Sequence, residues 1–346
     1  MADPISQAVQ IAGNTARFGW YYGINWLMDR QASRLGAARP SYKPSRPVPA
    51  KQQILTDLAQ LFIADAAAVS QGLYPAGTDE PGSIGDHFAR LRLMMADMPG
   101  ALERRDVKDA ATARQLPGAE GLPDYFTQDF HYQTGGYLSD ESAKLYDVQV
   151  ETLFYGSANV MRRAALRPIA EFIRGRDQRK LSMVDVACGT GRFLRQVRLA
   201  FPALKLAGID LSAPYLAEAQ RHMSNLRPVE FIAANAEHLP LGTASQDIVS
   251  CIFMFHELPP EVRRTVASEL SRVLKPGGLM VFIDSLQIGD RPGWDGLLEA
   301  FPMRFHEPYF RHYAIDDLDR VFTDAGLMPV SSQPVFLSKL MVRKKI

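Results

Sequence analysis

The stretch VDVACGTG, residues 184–191, decides the fold of this chain. The apolar run 181–187, interrupted by one acid, is typical of a buried strand in a parallel sheet. Gly189 and Gly191 permit backbone angles and a close ligand approach that a side chain would prevent. Residues 192–199 predict the helix that follows. We therefore expect a strand, a glycine turn and a helix that present backbone to a bulky cofactor.

A second short apolar run, residues 206–210, ends in Asp210, which follows Gly191 by 19 residues. A carboxylate at the tip of a second strand can accept hydrogen bonds from both hydroxyls of a ribose. A dinucleotide fingerprint needs a small residue where the helix packs on the strand, and here that position is Leu194. The pattern therefore disfavours a nicotinamide cofactor. A glycine turn without a ligand is the other alternative.

Three further landmarks follow in order: VEFIAANAEHLPL at 229–241, DIVSCIF at 247–253 and LKPGGLMVF at 274–282. Together the landmarks resemble the class I S-adenosylmethionine-dependent methyltransferases. The resemblance implies a Rossmann-like α/β fold whose sheet is mostly parallel with one antiparallel edge strand, and S-adenosyl-L-methionine as cofactor. It also implies a closing helix and hairpin, for which the sequence predicts a helix over 315–325 and strands over 327–330 and 335–342.

The same resemblance assigns cofactor contacts residue by residue. Asp185 is expected near the amino group of the methionine part, which Gly189 and Gly191 also contact. Asp210 is expected to bind the ribose. The adenine is expected against Leu211 and the loop that carries Asn235 and Ala236, although relatives often have an aspartate where Asn235 stands. Phe253 is expected to border the methyl group.

Methyl transfer from a sulfonium is an in-line displacement, so that alignment in a dry site supplies most of the acceleration. Few catalytic groups are therefore expected. His256 follows the fourth predicted strand, where ligands bind in open α/β sheets, and an ordinary histidine pKa suits a general base. The alternatives are that His256 only packs or hydrogen-bonds, and that Glu257 only caps a helix over 259–270.

Aromatic residues crowd residues 125–155 and again residues 294–313. Residues 145–163 loosely resemble the segment ahead of the glycine motif in ubiquinone/menaquinone-type C-methyltransferases, which implies roles for Tyr146 and Arg162 beside the cofactor and acceptor. His306 and Tyr309 are predicted to contact the acceptor from the second crowded region. The alternatives are that Tyr146 is ordinary core, that Arg162 is a solvated helix charge, and that the aromatic residues bury the N-terminal part.

At 346 residues the chain is longer than one usual domain. We expect a helical extension over 1–124, an aromatic cap and lead-in helix over 125–175, and the methyltransferase domain over 176–346. Helices are predicted at 8–35, 51–70 and 87–98, with a proline-rich strap at 40–49. Aromatic and basic residues within 15–35 leave three alternatives open: peripheral membrane contact, a homodimer, or packing on the body of the protein.

Composition narrows the remaining classes. With only Cys188 and Cys251, neither a disulfide framework nor a zinc cluster is available, and no metal site is predicted. The net charge of +1 gives no reason to expect nucleic-acid binding. The N-terminus has no secretion signal, so a cytoplasmic location is expected. The sequence predicts a methyltransferase acting on a small aromatic or lipophilic molecule, the alternative being a non-catalytic cofactor-binding protein that serves assembly or regulation.

Overall fold

A computed structural model describes residues 3–36, 42–77 and 83–346 of the chain. Residues 1–2, 37–41 and 78–82 lie outside the described residues, and so does the start of the proline-rich strap that is predicted at 40–49.

The centre of the described chain is a twisted sheet whose strands run in the order β3-β2-β1-β4-β5-β7-β6. Strands β1 to β5 pair in parallel, and β7 lies antiparallel between β5 and β6. This confirms the expected α/β class. The strands are β1 (Ser182–Val186), β2 (Lys205–Asp210), β3 (Glu230–Ala233), β4 (Gln246–Ile252), β5 (Leu274–Ser285), β6 (Leu327–Val335) and β7 (Ser338–Lys345).

Helices cover both faces of the sheet and form the N-terminal part. They are α1 (Pro4–Arg34), α2 (Lys51–Ser70), α3 (Ile84–Val107), α4 (Asp140–Leu153), α5 (Ala158–Arg163), α6 (Leu166–Ile173), α7 (Arg192–Ala200), α8 (Ala213–Met223), α9 (Pro260–Val273), α10 (Asp295–Arg304), α11 (Phe310–Tyr313) and α12 (Leu318–Asp324). The predicted bounds of α2 are confirmed. Helix α3 is longer than predicted at both ends, and it continues past Pro99, where the proline would favour a break.

The predicted start of the last strand is wrong. Phe336 has a φ of 55°, and pairing in β7 begins at Ser338. Residues 336–337 therefore form the turn of the closing hairpin, although their apolar character favoured a strand.

Alternate residues of each central strand point to opposite sides of the sheet. In β5, Val281 joins a buried cluster with α2, α5, α6 and α7, whereas Phe282 joins a second cluster with α9 and α12. The first cluster includes Leu58 and Phe62 of α2. Helix α2 therefore shares its core with the sheet and does not form a separate apolar centre.

A buried ion pair fixes this N-terminal part to α5. The Nε and Nη2 atoms of Arg163 lie 2.8 and 2.9 Å from the carboxylate of Asp65 in α2. Gln10 and Asn14 of α1 donate to the same carboxylate, as does the hydroxyl of Tyr74. The carboxylate thus joins α1, α2 and α5.

The described part of the proline-rich strap lies against α10. The carboxylate of Glu299 accepts hydrogen bonds from the hydroxyl of Tyr42, from the backbone and hydroxyl of Ser45 and from the backbone of Arg46. The backbone nitrogen of Gly296 donates to the carbonyl of Pro47. These bonds attach residues 42–47 to α10.

Candidate functional site

The glycine turn after β1 joins the strand to α7. Gly189 and Gly191 have φ values of 54° and 73°, which glycine adopts without steric cost. A Cβ atom at Gly191 would lie 3.0 Å from the Cβ of Ala219 in α8, whereas a Cβ at Gly189 would have no heavy atom within 4 Å. Gly191 therefore permits close helix packing, and Gly189 faces open space.

That space belongs to a cavity at the carboxyl ends of β1, β2 and β4, where open α/β sheets bind ligands. We call it the main cavity because most of the predicted cofactor residues line it. It encloses about 810 Å³ of empty space, part of it open to solvent. The cofactor residues predicted from the sequence that line it are Gly189, Asp210, Leu211, Asn235, Ala236 and Phe253. The cap lines the other side with Tyr125, Phe126, Phe130, Tyr137 and Tyr146.

Asp210 ends β2 at the wall of this cavity. Its Oδ2 accepts from the backbone nitrogen of Gly189 and its Oδ1 from that of Ser212, both at 2.8 Å. Burial raises the pKa of the carboxyl group above its ordinary value, while the backbone donors oppose that shift. The carboxylate is thus held in one orientation, and its remaining lone pairs are available to a ligand.

A smaller side cavity lies around the start of the glycine turn, and shares Tyr146, Gly189 and Phe253 with the main cavity. Asp185 lines it and accepts a 2.6 Å hydrogen bond from the hydroxyl of Ser250. Burial raises the pKa of Asp185 to about 7, although the Ser250 bond acts in the opposite direction. The two cavities together suit a ligand bent across Gly189.

Arg162 also lines the side cavity, so the interpretation as a solvated helix charge is wrong. Its Nη1 donates to Oδ1 of Asn159 at 2.9 Å, and its guanidinium lies 5.4 Å from the centre of the Phe253 ring. Phe253 has a φ of 59° and stacks on Phe154. Arg162 is therefore part of the buried wall that the side cavity shares with Asp185 and Phe253.

Asn235 lines the main cavity with its side chain engaged. Its Oδ1 accepts from the backbone nitrogen of Glu237 at 2.9 Å, and its amide donates to the Glu237 carboxylate at 3.1 Å. The hydroxyl of Tyr125 donates to the same carboxylate at 2.6 Å. This cap residue is thereby tied to the loop after β3.

The structure does not bring His256 to the main cavity, which corrects the expected general base. His256 is not one of the described residues that line this cavity. Its Nδ1 lies 2.5 Å from Oδ1 of Asp284. Burial would lower the pKa of His256, but the charge and hydrogen bond of Asp284 outweigh it and raise the pKa to about 10. A protonated imidazolium at neutral pH cannot accept a proton.

Glu257 lines the cavity instead. Its Oε1 accepts from the hydroxyl of Tyr137 at 2.5 Å, and burial raises the pKa of its carboxyl group to about 7. The expected capping role is wrong, because α9 begins after Pro259 without a side-chain cap. Its position next to His256, directly after β4, was the available sequence signal.

His306 and Tyr309 lie outside the described lining of the main cavity. Both contact Gln128 of the cap: Nε2 of His306 lies 2.9 Å from its carbonyl oxygen, and the hydroxyl of Tyr309 accepts from its amide at 3.1 Å. Their observed contacts therefore hold the cap on the segment after β5, and direct acceptor contact stays a prediction.

The sheet order, the glycine turn and the acid at the tip of β2 define a class I S-adenosylmethionine-dependent methyltransferase domain. Residues 183–278 match a family model described as a methyltransferase domain. The chain thus carries this domain, whose cofactor is S-adenosyl-L-methionine, together with a helical N-terminal part.

The ubiquinone/menaquinone biosynthesis C-methyltransferase of Campylobacter jejuni is 31% identical over 152 residues, which cover 42% of this chain and 61% of that relative. The malonyl-[acyl-carrier protein] O-methyltransferase of Alcanivorax borkumensis is 36% identical over 98 residues, 28% of this chain and 32% of that relative. The crystal structure of an Aquifex aeolicus methyltransferase gives a TM-score of 0.42 at 19% identity, covering 57% of this chain and 97% of that chain. The match thus spans 61% of the length of the first relative and less of the second.

Proposed function

We propose that this chain transfers the methyl group of S-adenosyl-L-methionine to a small aromatic or lipophilic molecule. One observation carries the proposal: the main cavity joins Gly189 and Asp210 to an aromatic wall that includes Phe130, Tyr137 and Tyr146. Ligand sites are mostly apolar with few well-placed polar groups, and flat apolar molecules pack well on aromatic rings.

The cofactor is proposed to span both cavities. Its amino group would lie in the side cavity near Asp185, and its ribose hydroxyls would bind Asp210. The adenine would lie against Leu211, Asn235 and Ala236. The shared walls at Gly189 and Phe253 would then face the sulfonium, which places the methyl group toward the cap.

The acceptor is proposed to lie between Phe253 and the cap. Glu257 and Tyr137 supply polar groups at this end of the cavity, 2.5 Å apart and hydrogen-bonded. We propose that they orient the polar group of the acceptor, while the aromatic rings exclude water. Rate acceleration then comes mainly from alignment of nucleophile, methyl carbon and sulfur.

The test combines cofactor binding with product detection. Calorimetry with S-adenosyl-L-methionine and with its demethylated product should show binding by the wild type, and Asp210→Ala should be the weakened control. Incubation with methyl-labelled cofactor and a panel of phenols, quinols and isoprenoids should label one product class. Tight cofactor binding with no labelled product from a broad panel and from cell extract would instead favour the non-catalytic alternative.

Helix α1 leaves an apolar surface exposed, which is compatible with the predicted membrane contact or homodimer. Trp20, Trp26 and Leu27 are 38%, 55% and 42% exposed. Among the described residues, no helix is long and apolar enough to cross a membrane. Vesicle co-sedimentation of the wild type and Trp26→Ser would test membrane contact. Light scattering of the same two proteins would test the homodimer. The domain boundaries, the absence of nucleic-acid binding and the cytoplasmic location stay predictions.

A further inference from the structure

Three potential ligand groups meet behind the acceptor end of the main cavity. The Nε2 atom of His131 and carboxylate oxygens of Glu257 and Glu307 all lie within 4.8 Å of one another. His131 belongs to the cap, Glu257 follows β4, and Glu307 precedes α11. We call these residues the His131 cluster. It brings together segments that are distant in the chain.

Glu307 is the unusual member of the cluster. Its side chain is fully buried, and neither carboxylate oxygen has a hydrogen-bond partner among the described residues. Its Oε1 nevertheless lies 3.0 Å from Nε2 of His131. A buried carboxylate without donors is costly in a folded protein, so that its position at this cluster calls for a bound partner.

The backbone around His131 is held in an uncommon conformation. His131 and Tyr132 both have positive φ values, 56° and 58°. The nitrogen of His131 donates to the carbonyl of His306, and the guanidinium of Arg104 donates to the carbonyl of Tyr132 at 2.9 and 3.1 Å. Such strain persists only where the surroundings fix it, and here it directs the imidazole toward Glu307.

We propose that His131, Glu257 and Glu307 bind a divalent first-row metal ion with a coordination position open to the acceptor. Imidazole nitrogen with carboxylate oxygen suits Mn²⁺, Fe²⁺ or Zn²⁺ better than Ca²⁺. At metal–ligand distances of about 2.1 Å, adjacent ligands lie about 3.0 Å apart and opposite ligands about 4.2 Å. The observed 3.0 Å between His131 and Glu307 fits an adjacent pair.

Glu257 connects the cluster to the substrate, because it also lines the main cavity. An ion held there would coordinate an oxygen atom of the methyl acceptor. The acceptor would then be a molecule with a hydroxyl, enol or carboxylate oxygen beside the methylated atom. This role of the ion in acceptor binding rests on the proposed function, whereas metal binding itself does not.

The competing explanation is a protonated Glu307 that donates to Nε2 of His131, since burial raises the pKa of this carboxyl group. The two differ in metal affinity. Full-length protein should be stripped with a chelator and titrated with Mn²⁺ and with Zn²⁺ by calorimetry, without cofactor or acceptor. The proposal expects about one ion per chain. For bound Mn²⁺, enhanced relaxation of water protons should report the open position.

The variants Glu307→Gln and His131→Asn should each weaken ion binding at least tenfold, and asparagine tolerates the positive φ of residue 131. The exposed residues Glu141 and His238 provide matched controls as Glu141→Gln and His238→Asn, which should bind like the wild type. Melting curves and cofactor affinity report whether each variant is folded.

Absence of stoichiometric binding by the wild type would overturn the metal site, as would unchanged affinity in a folded Glu307→Gln protein. If bound Mn²⁺ does not enhance the relaxation of water protons, the open coordination position is overturned. Metal binding without cofactor binding would refute the proposed function and leave the site standing. Methyl transfer that is unaffected by chelation, in a protein that binds no ion, would refute the metal site and leave the proposed function standing.

Discussion

The Oδ2 atom of Asp210 lies 2.8 Å from the backbone nitrogen of Gly189, so that the acid at the tip of β2 binds the turn that follows β1. We expect Asp210→Ala to weaken S-adenosyl-L-methionine binding by about 2–4 kcal/mol, because the two charge-assisted hydrogen bonds proposed to the ribose would be lost. Calorimetry on the wild type and the variant measures this difference.

Asp210→Asn is the matched variant, since it keeps the size of the side chain and one carbonyl oxygen. Its loss of affinity should lie between those of the wild type and Asp210→Ala. Unchanged affinity in a folded Asp210→Ala protein would remove the ribose assignment.

The two glycines of the turn should respond differently to valine. Gly189→Val places its side chain in the open cavity, and should abolish cofactor binding with a moderate loss of melting temperature. Gly191→Val meets Ala219 as well as the strain of a positive φ, so its melting temperature should fall further. Melting curves and calorimetry on both variants separate steric obstruction from misfolding.

Gly277 offers the control for strain alone, because its φ is also positive and a Cβ there would contact nothing within 4 Å. Gly277→Val should therefore lose stability while it retains cofactor binding. Retained binding by Gly189→Val would show that the turn does not face the cofactor.

Tyr146 lines both cavities, and its ring packs edge-on against Tyr215 at 5.3 Å. We expect Tyr146→Ala to lower turnover far more than cofactor affinity, since it disturbs the alignment of the acceptor. If the residue is ordinary core, unfolding should become easier by about 3–5 kcal/mol and activity should fall only with the folded fraction. A stable, fully active Tyr146→Ala enzyme would exclude both roles, and Tyr146→Phe shows what the hydroxyl contributes.

Cofactor binding should depend on pH through Asp185. In the ligand-free protein burial raises its pKa to about 7, whereas the ammonium group of the bound cofactor would favour the charged carboxylate. Binding should therefore release a proton below pH 7 and strengthen as the pH rises through 7, becoming constant above it. Calorimetry in buffers of different ionisation enthalpy measures the released proton.

Asp185→Asn is the control for this dependence, and should bind more weakly with little change between pH 6 and pH 8. A wild-type affinity that is equally independent of pH would contradict the proposed amino-group contact.

The buried pair of Asp65 and Arg163 should dominate the attachment of α1 and α2. Asp65→Ala leaves the guanidinium unpaired in the interior, and should destabilise the protein by about 3–5 kcal/mol.

Burial alone would raise the pKa of Asp65, but the charge and hydrogen bonds of Arg163 outweigh it, so the pKa is lowered. This stabilisation is therefore present above the unfolded-state pKa, about 3.9, and is lost as the pH falls through the lower folded value. Denaturant unfolding at several pH values measures both effects, and Arg163→Met with the double variant isolates the pair.

The parallel strands, the glycine turn and Asp210 could be predicted from the sequence because each depends on local pattern: a short apolar run, two glycines, an acid at a strand end. The turn at residues 336–337 could not, since Phe336 and Leu337 have the apolar character of a strand. Their conformation depends on the pairing of β7 with β6.

The candidate site shows the same division. Gly189 and Phe253 lie where the motif places them, because strand ends of a parallel sheet converge. His256 and Glu257 are neighbours in the chain, but only Glu257 lines the main cavity. His256 is instead bound to Asp284, which lies 28 residues further along the chain. His131 and Glu307 are brought together only by the folding of the cap. No sequence pattern around either residue predicts their contact.

Glu299 has a consequence for protein engineering. Its carboxylate accepts four hydrogen bonds from residues 42–46, which lower its pKa to about 2. A shortened gene that starts at residue 51 would delete every one of these donors together with α1, and would leave Asp65 without Gln10 and Asn14. Trimming the protein to its methyltransferase domain for expression would therefore also leave the segment after β5 without the N-terminal residues that are bonded to it.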